Sequence, residues 1–264
     1  MVIPTPNLLS RSDVMRFAAG AALGVAALMV SVPSAQAFNA DEKEEIGQIV
    51  REYLLANPEL MIEVQHALEE KQEAEAADLI AKTLSESGEQ LFNNPIDPVF
   101  GDADGDVTVV EFFDYNCGFC RRGLADMEYI LDNDADVKFV LKEFPIFGPN
   151  SAAVHTVAMA FHSVAPEKYY NYHVKMMQQE GQIDEARALE IAAGEGVDMD
   201  ALTASMENQN IIESFRQTDS LASGLGITGT PSYIIGDEVV VGALGKDVLI
   251  EKIDNFRKCG STRC

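Results

Sequence analysis

Basic residues are scarce in this chain: 19 lysines and arginines face 43 aspartates and glutamates, a formal net charge of −24. A surface of that sign repels nucleic acid and anionic lipid, which argues against both as partners. Cysteine is sparse too, at four residues, and the four histidines include no pair at metal-ligand spacing. A tetrahedral zinc site needs four such ligands, so these counts argue against one. No internal repeat is visible. The longest apolar run, "FAAGAALGVAALMVSV" from Phe17 to Val32, contains two glycines and falls short of the ~20 residues of a spanning helix.

That run is preceded by Arg11 and Arg16 and followed by "PSAQA", whose small Ala35 and Ala37 suit a signal peptidase. The expectation is a secretory signal peptide over residues 1–37, cleaved after Ala37, with Met15 as an alternative start. No lipid-acceptor cysteine lies near the cleavage site, so the mature protein is expected to be soluble. Export places the cysteines in an oxidising compartment, where four of them can simply form two structural bridges. Spacing has to decide between that and chemistry.

From Asp41 to about Ser87 the apolar residues recur at helical spacing. Asn57 and Pro58 interrupt the pattern, with Asn57 placed to cap the second of two helices and Pro58 at its first position. The run "LEEKQEAEA" reads as a solvated helix face. Ile46, Ile49, Tyr53, Leu60, Met61, Val64 and Leu68 form a narrow stripe that a lone helix cannot bury. Such a stripe is covered by copies of itself or by folding back on a neighbouring domain, and its narrowness favours self-association, with two copies as well suited as three. Residues 38–90 are therefore read as a helical oligomerisation extension.

Residues 93–106, rich in Asn, Asp, Pro and Gly, read as a linker; they lack the spacing and terminal Glu of a calcium loop. "VTVVEFF" then suits a strand covered on both faces. "RRGLADMEYIL" has helical spacing and "VKFVL" is a second buried-type strand, so the order implies a parallel crossover unit. Residues 150–225 read as an all-helical insert. "SYIIGDEVVVGAL" reads as a hairpin turning at Gly236 and Asp237, and a helix over Lys246 to Arg257 closes the domain. The tail, residues 259–264, holds Cys259 and Cys264 at a spacing that can close a small loop.

Cys117 and Cys120 stand where a strand ends and a helix begins, in "EFFDYNCGFCRR". At a helix start, unpaired backbone N–H groups favour a thiolate on Cys117. A free thiol near ~8.5 is only ~3% ionised at pH 7, whereas a pKa of ~7 ionises about half. Cys120, one turn along and more shielded, is suited to attack a mixed disulfide formed at Cys117. Arg121 and Arg122 add exposed positive charge nearby. An inert bridge here would join residues already close and constrain little, so a redox pair is the stronger reading. Glu111 lies on the strand six residues before Cys117, and is either buried with a raised pKa or solvated at a sheet edge. The histidines read as core or surface filler.

"EFFDYNCGFC", a helical insert and then "GTPSYIIG" resemble the DsbA-type branch of the thioredoxin superfamily, over residues 91–258. The resemblance implies an α/β thioredoxin fold with an inserted helical domain, here preceded by the helical extension. It implies Cys117 as nucleophile, Cys120 as resolving thiol, and Thr230 and Pro231 as a cis-proline loop that holds an extended substrate segment. It also implies that Glu111 relays protons to Cys120. No metal or other cofactor is called for. Gly118-Phe119 replaces the Pro-His of the strongly oxidising DsbA, and with Thr230 is closer to the disulfide isomerases.

The N-terminal helices resemble those of the ScsC-type proteins, which implies a homo-oligomer, a trimer, able to shuffle disulfides. The expected function is that of a periplasmic thiol-disulfide oxidoreductase, an oligomeric isomerase acting on exported cysteine-containing proteins. A DsbD- or ScsB-like membrane thiol reductase would then keep it reduced. Alternatives are a monomeric oxidase recharged by a DsbB-like quinone reductase, and a holdase or Cu(I)-binding thiol protein.

Overall fold

The computed structural model describes residues 38–264. The expected signal peptide lies outside them. The chain divides after Met61 into two units. In the first, helix α1 spans Ala40–Ala56 and opens on a capping box. Asn39 Oδ1 accepts the Glu42 N–H at 2.9 Å, and Glu42 Oε2 accepts the Asn39 N–H at 2.8 Å. Ile49, Val50, Tyr53 and Leu55 are exposed, and no residue of α1 is buried.

Asn57 does not act as expected. It closes α1 instead of capping the next helix: both its backbone N–H and its side-chain amide donate to the Tyr53 carbonyl, at 3.0 and 2.8 Å. Helix α2 then begins at Glu59 and runs to Phe92. The physical reason is that an Asn amide satisfies an orphan carbonyl as readily as its oxygen satisfies an orphan N–H.

In the second unit, α2 stays exposed at Val64 and Leu68 but ends inside the core, where Leu91 is fully buried and Ile80, Leu84 and Phe92 pack beside it. Its Thr83 hydroxyl donates to the Gly224 carbonyl at 2.9 Å. A Cβ on Gly224 would stand 2.8 Å from that hydroxyl, so glycine permits the approach. The expected boundary at residue 90 thus falls within a helix.

Five strands form one sheet in the order β1-β3-β2-β4-β5. Strand β1, Val99–Gly101, lies in the segment expected to be linker. It pairs antiparallel with β3, Val137–Glu143, and buries Phe100. Three residues behind Pro98 are too few for periodicity to show, which is typical of an edge strand. Beneath it the buried Lys142 ammonium of β3 reaches the Gln90 carbonyl and the Asp97 carboxylate. Burial pushes Asp97 up to about 6 despite that cation.

Strand β2, Val107–Phe113, is central, parallel to β3 and antiparallel to β4, Ser232–Ile235; β4 turns into β5, Glu238–Val241. The parallel crossover from β2 to β3 and the hairpin are as expected. Val107, Val109 and Phe113 face one core, while Val110 and Phe112 face another with Leu91, Leu221 and Ile234. The sheet is covered on both faces, which is why β2 reads as a continuous apolar run.

Helix α3 is Gly118–Asn133. The insert comprises α4 Pro149–Val164, a 3-10 turn at Pro166–Lys168, α5 Tyr169–Met177, α6 Glu185–Gly194, α7 Met199–Met206 and α8 Gln209–Gly224. Helix α9, Lys246–Cys259, closes the domain. Cys259 and Cys264 form a disulfide, and Thr262 ties that tail to Asp237 in the β4–β5 turn, its N–H donating at 3.0 Å. A loop this short stabilises by ~2 kcal/mol in the chain-entropy account.

Candidate active site

The two remaining cysteines are free thiols. Cys117 stands at the N-cap position of α3 with extended backbone dihedrals, its sulphur near the N–H groups of Phe119 and Cys120. Cys120 lies in that first turn. Both are buried, but their surroundings split them. The Cys120 thiol hydrogen-bonds the Cys117 sulphur, and although burial opposes ionisation, Thr230 and the backbone N–H groups of Cys120 and Phe119 assist. Together they bring Cys117 down to about 5. Burial and the neighbouring Cys117 and Glu111 push Cys120 far above the ordinary thiol range. The depression exceeds the value near ~7 that a helix end alone suggests, because the Cys120 and Thr230 side chains add to the helix-end N–H groups.

Opposite the sulphur stands the loop before β4. The Thr230-Pro231 bond is cis, and Cys117 Sγ donates to the Thr230 carbonyl at 3.1 Å. The Thr230 hydroxyl is buried beside the sulphur. The β2–β4 register sets this meeting: Phe112 pairs with Ser232 and Glu111 with Tyr233, so the ends of both strands open on one side of the sheet.

Glu111 is buried, because β2 is central, which removes the solvated-edge alternative. Burial pushes its carboxyl up to about 8, against a hydrogen bond from the Tyr233 hydroxyl. It is thus held protonated at neutral pH, in a place where it interacts with Cys120. Helix α3 can come this close because of Gly123: a Cβ there would lie 2.7 Å from the Tyr233 hydroxyl and 3.9 Å from Glu111 Oε1.

Arg121 is not the exposed group expected. It is half-buried, with Nε donating to the Tyr115 carbonyl at 3.0 Å and Nη1 to the Gly181 carbonyl at 2.5 Å. Arg122 is exposed, its guanidinium 4.3 Å from the centre of the Phe119 ring. Phe119 itself is 57% exposed, which leaves an apolar ring beside the dithiol.

Sequence reasoning missed four groups around this turn. Asn116 clasps the insert twice, its amide donating to the Ile183 carbonyl at 3.1 Å and its oxygen accepting the Ile183 N–H at 2.7 Å. Asp114 is fully buried behind it. His155 and His173, read as filler, are buried members of a polar chain. His155 lies between Glu143 and Asp114; burial works against its charge, but the two carboxylates outweigh it and bring it up to about 9. Glu143 also accepts the Tyr169 hydroxyl at 2.6 Å, and the Tyr115 hydroxyl joins those of Tyr169 and His173 Nδ1 at 3.0 and 3.1 Å. Burial lowers His173 to about 3, so it is neutral. The only available sequence signal was Asp114 itself, an acid at the end of an apolar strand.

The chain is similar to known proteins in both family and fold. Residues 108–254 match the DSBA-like thioredoxin domain, and residues 42–75 match the copper resistance protein ScsC N-terminal domain. Among curated relatives, a disulfide bond formation protein D of Bacillus subtilis is 22% identical over 61% of this chain and 77% of its own length. A thiol:disulfide interchange protein DsbA of Bordetella pertussis is 24% identical over 61% and 78%. Of the solved structures, a thioredoxin-like oxidoreductase from Silicibacter pomeroyi is 38% identical, with TM-score 0.62 over 65% of this chain and all but 2% of that one, whose coverage is 98%. Proteus mirabilis ScsC in a compact conformation is 25% identical, with TM-score 0.62 over 84% and 100%.

Proposed function

Because this chain belongs to the DSBA-like thioredoxin-domain family, we propose that it is a periplasmic, oligomeric disulfide isomerase working through Cys117 and Cys120. That it is a thiol-disulfide oxidoreductase of DsbA type related to ScsC follows from the family itself. The observation that carries the redox pair is its split, a thiol at about 5 beside one held far above its ordinary range; the isomerase reading rests on Gly118-Phe119 between the cysteines and on the extension with its exposed apolar residues.

The Cys117 thiolate attacks one sulphur of a client disulfide, forming a mixed disulfide and releasing the other client sulphur as a thiolate. Thr230 and Pro231 hold the client segment, its backbone pairing beside Thr230 as an added strand. If the freed client thiolate attacks elsewhere, the client rearranges and Cys117 is regenerated; that is isomerisation. If Cys120 attacks Cys117 instead, the client leaves reduced and the enzyme is oxidised. Cys120 must lose its proton for this, and the Glu111 carboxyl takes it once its own proton has left.

The exposed apolar residues of α1 and early α2, in a segment that matches the ScsC N-terminal domain, support assembly of copies through this extension. Several sites on one assembly raise the local thiol concentration around a misfolded client. Membrane partners follow from the direction of electron flow: a thiol reductase for an isomerase, a quinone reductase for an oxidase.

The oxidase reading is favoured by one observation. A thiol at about 5 lies between thioredoxin at ~7 and DsbA at ~3.5, so the reduced form gains some stabilisation. The test is reactivation of scrambled ribonuclease by reduced protein, together with the redox state of the pair in cells. Reactivation that vanishes in Cys117→Ala, with the pair reduced in vivo, is the expected result; a pair found oxidised, with no reactivation, overturns the isomerase reading.

A further inference from the structure

Asp114 sits at the exit of β2, three residues before Cys117, and takes no part in electron transfer. It is fully buried, and both its oxygens are used as acceptors. Oδ1 accepts the Asn116 N–H at 2.8 Å and the Ser151 hydroxyl at 2.5 Å. Oδ2 accepts the Ile146 N–H at 2.9 Å and the Phe147 N–H at 3.4 Å. Its backbone carbonyl accepts the Cys117 N–H at 2.9 Å. His155 Nε2 is 3.4 Å from Oδ1, and the carboxylate also acts electrostatically on Arg121.

These donors come from two places that are distant in sequence: the cysteine turn itself, and the loop between β3 and α4 together with the first turns of α4. A buried carboxylate costs far more than an ordinary core residue unless every lone pair is met, so its retention at this point needs a reason beyond packing. The groups it gathers are those that decide where the start of α3 stands relative to the sheet and the insert.

We propose that Asp114 is a positioning residue for the dithiol: it locks the turn from Asp114 to Cys117 against the β3–α4 loop and α4. This fixes the Cys117 sulphur before the N–H groups of Phe119 and Cys120. The inference rests on Cys117 being the attacking thiol, as argued above. An Asn at this position keeps the shape but presents one oxygen and one NH2, and the NH2 faces two donors. That repulsion turns the cysteine turn away from its present geometry.

The experiment follows thiolate absorbance and the alkylation rate of Cys117 against pH in reduced wild type, Asp114→Asn and Ser151→Ala, with folding checked by circular dichroism. Asp114→Asn is expected to move the titration up by about one pH unit, a roughly tenfold slower alkylation below the wild-type midpoint. Ser151→Ala, which removes a single donor, should move it the same way by less. If wild type titrates as depressed and the folded variants titrate identically to it, Asp114 is merely structural and the inference is overturned. If wild type itself titrates near ~8.5, the reading of Cys117 as an activated thiol has failed instead. Should Asp114→Asn not fold, Ser151→Ala decides: an unchanged titration refutes positioning.

Discussion

Cys117 Sγ lies 3.1 Å from the carbonyl oxygen of Thr230, a residue 113 positions away in the chain. The β2–β4 pairing brings the proposed nucleophile and the cis-proline loop together, and this contact joins the two in one place. Replacing Thr230 with Val keeps the branch and removes the hydroxyl that helps lower Cys117. The Cys117 titration is expected to rise, with slower alkylation at pH 5, while the melting temperature changes little. An unaltered titration would separate the loop from the thiol.

The depressed Cys117 thiol predicts how the two redox states compare with pH. Its folded value is about 5, below the unfolded ~8.5. The stability this adds to the reduced form is fully present above ~8.5 and is lost as pH falls through 5. The melting temperature of reduced protein minus that of oxidised protein should therefore decrease from pH 8.5 to pH 5. A difference that is flat or rises over that window contradicts the assignment.

Glu111 titrates in the opposite sense for a carboxyl. Its folded value near 8 exceeds the unfolded ~4.3, so folding is increasingly penalised as pH rises between them. Glu111→Gln should match wild type near pH 4 and exceed it at pH 8 by roughly 4–5 kcal/mol. The same variant should slow release of a mixed disulfide by Cys120, measured by rapid quenching. Stabilisation without slower release would leave Glu111 out of the proton transfer.

Gly123 permits the approach of α3 to Tyr233 and Glu111. Gly123→Ala places a methyl against the Tyr233 hydroxyl and should cost about 1–3 kcal/mol by overpacking. Chemical denaturation measures this. An alanine that stabilises the helix by its better propensity alone would show that the Tyr233 ring yields freely.

The extension can be removed in two ways with different outcomes. Deleting residues 38–75 leaves Ile80, Leu84 and Leu91 in place, and the product should fold, be monomeric by light scattering and lose isomerisation before simple thiol oxidation. Deleting residues 38–90 also strips Ile80 and Leu84 from the core and should cost roughly 2–5 kcal/mol more. A monomeric full-length chain would end the oligomer reading.

Much of this site was legible in the chain because its signals are local. The apolar run of β2, the helix start at Cys117, the turn at Gly236 and the Thr-Pro before β4 are each written within a few consecutive residues. Strand β1 was not, because three residues hold too little pattern and its pairing with β3 is with a distant segment. The exposed and buried roles of Arg121 and Arg122 could not be told apart either, since what separates them is the Gly181 carbonyl sixty residues away.

The sequence by itself therefore determined the chemistry: which thiol begins a helix, which follows one turn later, and that a proline loop accompanies them. Tertiary structure alone decided the electrostatics. Whether Glu111 is neutral, whether His155 is charged and how far Cys117 is depressed depend on burial and on partners from other elements. A pKa shift sums desolvation with the field of every nearby group, and only the folded chain sets those distances.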